Sequence, residues 1–132
     1  MNFLHFFSRN KIDESVKEAR EKTGSILLDV RTPEEYRSGH IPGSRNIPLQ
    51  DLEQADTGLK DKDAPLYLYC QSGARSSMAA ALLRSMGFTQ VSDMGGISGW
   101  HGEIERGGKE STDLFCAIMH IFYIFFFLLS EY

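Results

Sequence analysis

The chain has 132 residues, charges of both signs and a formal net charge of −4. That length holds one domain around one core, and the charge gives no reason to expect nucleic acid as a partner. All 14 lysines and arginines and 16 of the 18 acids precede residue 113, leaving that part at only −2, so anion binding has to come from local geometry. The two cysteines, Cys70 and Cys116, make no disulfide framework. Neither they nor the scattered His5, His40, His101 and His120 have zinc spacing, and no metal or other cofactor is expected. A working thiol suits a reducing compartment such as the cytoplasm.

Residues 1–11 open with Met1-Asn2-Phe3-Leu4-His5-Phe6-Phe7, apolar but without a basic leader region or a continuous apolar core. They read as an amphipathic cap on the domain. Residues 12–23 read as a helix, with Ile12, Val16 and Ala19 on one face and Gly24 as the stop. The apolar run from Ser25 to Val30 predicts a strand buried on both faces of a parallel sheet. Asp29 inside it needs partners, either loop amides or Arg31. Arg31 is expected to pair with Glu35 or another neighbour, with contact to substrate as the alternative.

Thr32 with Glu35 three residues later fits a capping box, Pro33 fits the first helical position, and Gly39 closes a helix of about two turns. His40 to Leu49 holds two prolines and a glycine, so it predicts a shaped connection ending in a brief extended segment. His40 is assigned to ordering that turn. A short helix over 50–54 and a polar loop over 55–64 follow.

Pro65 to Gly87 organises the rest. It starts as a short apolar run with two tyrosines and ends in a helical pattern with apolar residues at 79, 82, 83 and 86. Between them stands Cys70-Gln71-Ser72-Gly73-Ala74-Arg75. A cysteine at a strand end, wrapped by a short loop entering a helix, faces free amide N–H groups and the positive end of the helix dipole. Both favour a thiolate and an anion beside it. Cations are unfavourable at a helix N-terminus, so Arg75 there points to an anion close by. Residues 88–94 predict another strand, and Gly95-Gly96-Ile97-Ser98-Gly99-Trp100 a glycine-rich turn anchored by the one tryptophan. Alternating strands and helices predict an α/β sheet covered on both faces, with ligands beyond the C-terminal strand ends, where Cys70 lies.

These motifs resemble a single-domain rhodanese. The likeness rests on Leu28-Asp29-Val30-Arg31-Thr32-Pro33-Glu34-Glu35-Tyr36, Gly39-His40-Ile41-Pro42-Gly43-Ser44, Tyr69-Cys70 through Arg75-Ser76, and Gly95-Gly96-Ile97 through Trp100. They occur in the family's order over about residues 12–105, within a domain bounded at 12–108. The resemblance implies a three-layer sandwich around a parallel five-stranded sheet. It also implies a thiosulfate sulfurtransferase in which Cys70 attacks a sulfane sulfur and carries it as a persulfide to cyanide or a thiol. The amides of Gln71, Ser72, Gly73, Ala74, Arg75 and Ser76 would hold the anionic sulfur, each such donor being worth roughly 3 kcal/mol. Arg75 would bind the donor's sulfonate.

Three other readings stay open. One is a persulfide carrier serving a sulfur-relay partner protein. Another is a small cysteine phosphatase or arsenate reductase, disfavoured because four residues rather than five separate Cys70 from Arg75. The third is a non-catalytic binding module. The thiol must also face the loop amides rather than be sealed in the core.

Composition changes abruptly after residue 108, and residues 114–129 are apolar except for His120. Sixteen helical residues span roughly 24 Å, short of a ~30 Å hydrocarbon core. The 109–132 tail therefore reads in three ways. It is an anchor on the cytoplasmic face of a membrane, a segment packed onto this or another copy of the domain, or an extension from a shifted reading frame or cloning scar.

Overall fold

The computed structural model describes residues 11–54 and 57–130, and the side chains of all of these except 109–117. The expected N-terminal cap over 1–11 lies outside them but for Lys11, and so does the side chain of Cys116.

Helix α1 (Lys11–Glu21) buries Ile12, Val16 and Ala19, the face its spacing marks out. Gly24, at φ +78°, turns the chain into β1 (Ile26–Asp29). Helix α2 (Pro33–Ser38) starts on the anticipated capping box: the Glu35 amide donates to Thr32 Oγ1, and the Thr32 amide donates to the Glu35 carboxylate. Strand β2 (Arg45–Asn46) and a 3-10 turn (Leu49–Asp51) follow. Strand β3 (Leu66–Cys70) enters helix α3 (Ala74–Ser85), and β4 (Val91–Gly96) enters a second 3-10 turn (Ile97–Gly99).

The strands lie in the order β2-β1-β3-β4, all parallel. Among the described residues the sheet has four strands where five were expected. Strand β2 is two residues long, and the Ile47 and Leu49 amides continue its bonding onto the Asp29 and Val30 carbonyls. The polar stretch before β3 forms turns rather than a further strand.

Side chains alternate across this sheet, as strand geometry requires. Leu28, Leu66, Leu68 and Cys70 face one core with Ala79, Ala80 and Leu83 of α3. Leu27, Tyr67, Tyr69 and Met94 face the other with Ile12, Val16 and Ala19 of α1. Helices thus cover both faces, giving three layers. Cys70 ends the central β3, at the edge of the α3 layer.

Two boundaries differ from expectation. Strand β4 starts at Val91, because Phe88 still belongs to the end of α3, with its amide on the Leu83 carbonyl. It then runs on through Gly95-Gly96, expected as a turn, with a bulge where Leu68 pairs Asp93 but Tyr69 pairs Gly95. Gly95 takes φ +92° to make that slip, which a side chain would resist.

Residues Lys109–Ser130 form helix α4. Its large apolar side chains from Ile118 to Leu129 are exposed, so this part is not packed on the domain. Among the described residues no helix is long and apolar enough to cross a membrane.

Candidate active site

The site grows from the step between β3 and α3. Strand pairing on both sides holds Cys70 at the end of the sheet, against Gly96 of β4. The chain then turns over Gln71 and Ser72, and Gly73 at φ +108° reverses it into α3. That reversal aims the Gly73 amide back at the sulfur, 3.0 Å from Sγ. The Ser76 hydroxyl, one turn into α3, lies 3.5 Å from the same sulfur and also approaches the Gly73 and Gly95 carbonyls. A hydroxyl has one proton. It donates to a carbonyl while Cys70 is a thiol, and can turn to the sulfur when Cys70 is a thiolate.

Burial pushes the thiol up, but hydrogen bonds from the Ser76 side chain and from the Ser76, Gly73 and Ser72 amides outweigh it. The Cys70 pKa falls below its ordinary value. Of the loop amides expected to face the sulfur, that of Gly73 lies within hydrogen-bond distance of it. Access is tighter than expected for a nucleophile: Cys70 is 1% exposed and counts among the core residues, whereas Gln71, Ser72 and Ala74 around it are exposed. A donor meets the loop before it meets the sulfur.

Backbone forms the floor of the loop. A Cβ at Gly96 would stand 2.4 Å from the Gln71 carbonyl oxygen and 2.8 Å from Ser72 Cα, so β4 and the loop touch with no room for a side chain. The Ser98 amide donates to the same Gln71 carbonyl.

Both arginines are engaged by carboxylates, Arg31 by one of its expected neighbours. Arg75 binds Glu35 through two bonds, Nη1 to Oε1 at 2.7 Å and Nη2 to Oε2 at 2.9 Å. A planar fork matches a carboxylate closely, and Glu35 is fixed in place because it also serves the capping box. The Arg75 guanidinium, with help from Thr32, holds the Glu35 carboxyl down at about 2.

Arg31 pairs not with Glu35 but with Asp29, Nη2 to Oδ2 at 2.7 Å, and also donates to the Gly39 carbonyl. Burial works against its charge, and the Asp29 carboxylate more than restores it. Its reach to the loop is one long bond, Nη1 to Gln71 Oε1 at 3.3 Å. Asp29 takes one loop amide, that of Arg31 at 2.9 Å, and otherwise serves the guanidinium.

His40 is buried within the turn it is expected to order. Its ring stacks on Tyr36 at 3.7 Å, Nδ1 contacts the Tyr36 carbonyl, and its backbone forms a two-bond bridge with Glu105. Among the described residues no cluster of His, Cys, Asp or Glu has the makings of a metal site.

Glu35 is the site-adjacent residue that sequence reasoning missed. Its capping-box spacing was visible, but Arg75 lies 40 residues away and nothing local announces the pair. What the geometry supports chemically is an anionic sulfur held by inward peptide hydrogens.

Residues 13–103 match the family described as Rhodanese-like domain. The chain is similar to "Uncharacterized protein YqhL" of Bacillus subtilis, 46% identical over 80 residues, covering 60% of this chain and 63% of that protein. It is also similar to "Thiosulfate sulfurtransferase PspE" of Escherichia coli, 39% identical over 71 residues, covering 53% of this chain and 68% of that one. The chain thus spans about two thirds of the length of these relatives. Among solved structures, a rhodanese with anions from E. coli superimposes with a TM-score of 0.58 at 34% identity, covering 63% of this chain and 99% of the other.

Proposed function

The chain belongs to the rhodanese-like domain family, and from that premise we propose that it moves a sulfane sulfur through a persulfide on Cys70. The Cys70 thiolate attacks the outer sulfur of the donor. With thiosulfate the sulfur–sulfur bond breaks, its electron pair leaves with sulfite, and Cys70 retains the transferred sulfur as an anionic persulfide. An acceptor thiolate or cyanide then attacks that outer sulfur, leaves as a persulfide or thiocyanate, and restores the Cys70 thiolate. This is nucleophilic catalysis in two displacements.

The observation that carries the reading is the aim of the loop: the Gly73 amide points back at the Cys70 sulfur from 3.0 Å, with the Ser76 hydroxyl 3.5 Å away. They suit the starting thiolate, and a persulfide anion one bond further out gains from the remaining loop amides. Ser76 supplies a hydrogen bond that follows the charge. Gln71, Ser72, Gly73 and Ala74 form the rim through which donor and acceptor approach. Arg31 supports that rim through Gln71.

Transfer to cyanide or to a small thiol is one form of this activity; delivery to a sulfur-relay protein is the other. Phosphate hydrolysis fits less well, because Arg75, the residue that would clamp a phosphoryl group, is engaged by Glu35. A reducing compartment such as the cytoplasm suits the free thiolate.

Intact mass spectrometry tests the proposal. Incubation with thiosulfate or a persulfide is expected to add one sulfur, about 32 Da, to the wild type and none to Cys70→Ser. Cyanide should remove it as thiocyanate. Loading that survives in Cys70→Ser, or no loading from any sulfane donor, sinks the assignment.

A further inference from the structure

Two guanidiniums approach the active loop, and a carboxylate occupies each. Arg31 is held by Asp29 and the Gly39 carbonyl. Arg75 is held by both oxygens of Glu35. The loop's exposed residues, Gln71, Ser72 and Ala74, are uncharged. Around the sulfur, two cations therefore face two anions, and ionisation of Cys70 leaves the set at −1. A thiosulfate dianion entering this mouth finds amide hydrogens but no unpaired guanidinium, and like charge opposes it.

We infer that Glu35 is a specificity-determining residue. By occupying Arg75 it turns the site away from sulfonate-bearing donors and toward persulfides, whose outer sulfur is carried by a thiol. This rests on the sulfur-transfer reading above and names its donor class. In the step favoured here, the Cys70 thiolate attacks the outer sulfur of a persulfide R–S–SH. The new bond joins Cys70 to that sulfur, the old sulfur–sulfur bond breaks, and its electron pair leaves as the thiolate R–S⁻. The proton stays on the transferred sulfur, so atoms and charge balance. The leaving group is a monoanion of ordinary thiol basicity and needs no guanidinium clamp, whereas sulfite leaves with two negative charges.

The ion pair is suited to this role by its position. Glu35 is the third helical residue of α2, fixed by the Thr32 hydroxyl and amide, so it does not swing aside for an incoming anion at no cost. Arg75 is about one-third exposed, and a donor reaching it has to displace the carboxylate.

The experiment replaces Glu35 by Gln and compares thiosulfate with cysteine persulfide as donors. Glutamine keeps the capping box, which accepts Glu or Gln at that position, and removes the charge together with the acceptor of the second Arg75 bond. In Glu35→Gln the kcat/KM for thiosulfate should rise about tenfold, mostly through a lower KM, while that for cysteine persulfide stays within about twofold. The gain should shrink as salt is added, which a purely structural effect would not do. Unchanged or reduced use of thiosulfate by a folded Glu35→Gln protein, with persulfide turnover intact, overturns the inference. The wild type offers a check that needs no variant: its kcat/KM for thiosulfate should stay level or rise with ionic strength, and a fall means that a free cation already receives the dianion. If neither donor loads Cys70 in the wild type, sulfur transfer itself is lost and this inference with it.

Discussion

At the scale of single residues, the reactivity of Cys70 is a contest between burial and hydrogen bonds. Burial raises the thiol pKa, and donors from Ser76, Gly73 and Ser72 lower it further than burial raised it. The thiolate is therefore present at lower pH than for an ordinary cysteine, near ~8.5. Alkylation rates followed against pH should show a midpoint below that of a free cysteine. Ser76→Ala removes the side-chain donor from a buried position, so its midpoint should move upward, toward the value burial alone would set. A midpoint unmoved by Ser76→Ala would assign the effect to the amides alone. Much of this was legible beforehand: a cysteine followed by small residues and a helical pattern already implied inward amides. Its near-complete burial was not legible, because the alternation that places Cys70 on the α3 face says nothing about how tightly the loop closes over it. Nor could spacing show which of its offered partners Arg31 takes, or that Arg75 reaches back to Glu35. Arg31 pairs two residues back and Arg75 pairs 40 back, and only the folded chain puts those partners within 3 Å.

At the scale of elements, the loop keeps its shape because β4 supports it with bare main chain. Gly96 has an ordinary φ of −103°, so its importance is steric rather than conformational. A methyl group there meets the Gln71 carbonyl at 2.4 Å, and backbone has to move. Gly96→Ala should fold with a stability loss of about 1–3 kcal/mol and lose at least roughly tenfold in kcat/KM, since displaced amides no longer converge on the sulfur. Thermal denaturation alongside steady-state rates checks both; full activity in a folded Gly96→Ala would mean the loop tolerates displacement. Element order and type were readable from periodicity and caps, with the Thr32–Glu35 box and α1 as the clearest cases. The ends of β4 were not. Paired glycines usually mark a turn, and here a bulge against Tyr69 lets them finish a strand instead. The strand count was not readable either: four strands are found among the described residues.

For the molecule as a whole, the sandwich and α4 stand apart in character. The sandwich has two buried apolar cores, one on each face of the sheet. Helix α4 leaves Ile121, Phe122, Tyr123, Phe125 and Phe126 more than 60% exposed. Apolar surface of that extent drives association. Ending the chain after Ala117 should reduce self-association in sedimentation experiments and leave the thermal midpoint within about 2 °C, because side chains from 118 onward do not pack on the domain. A large drop in the midpoint would show that the tail stabilises the sandwich. The Gly96 contact also has a practical corollary for anyone wishing to retune this protein. The path of the loop allows almost no variation, so a library that inserts or deletes residues there would be mostly dead. Diversity is best confined to positions 71, 72 and 74, whose side chains point to water, with position 35 as the partner site to randomise alongside them.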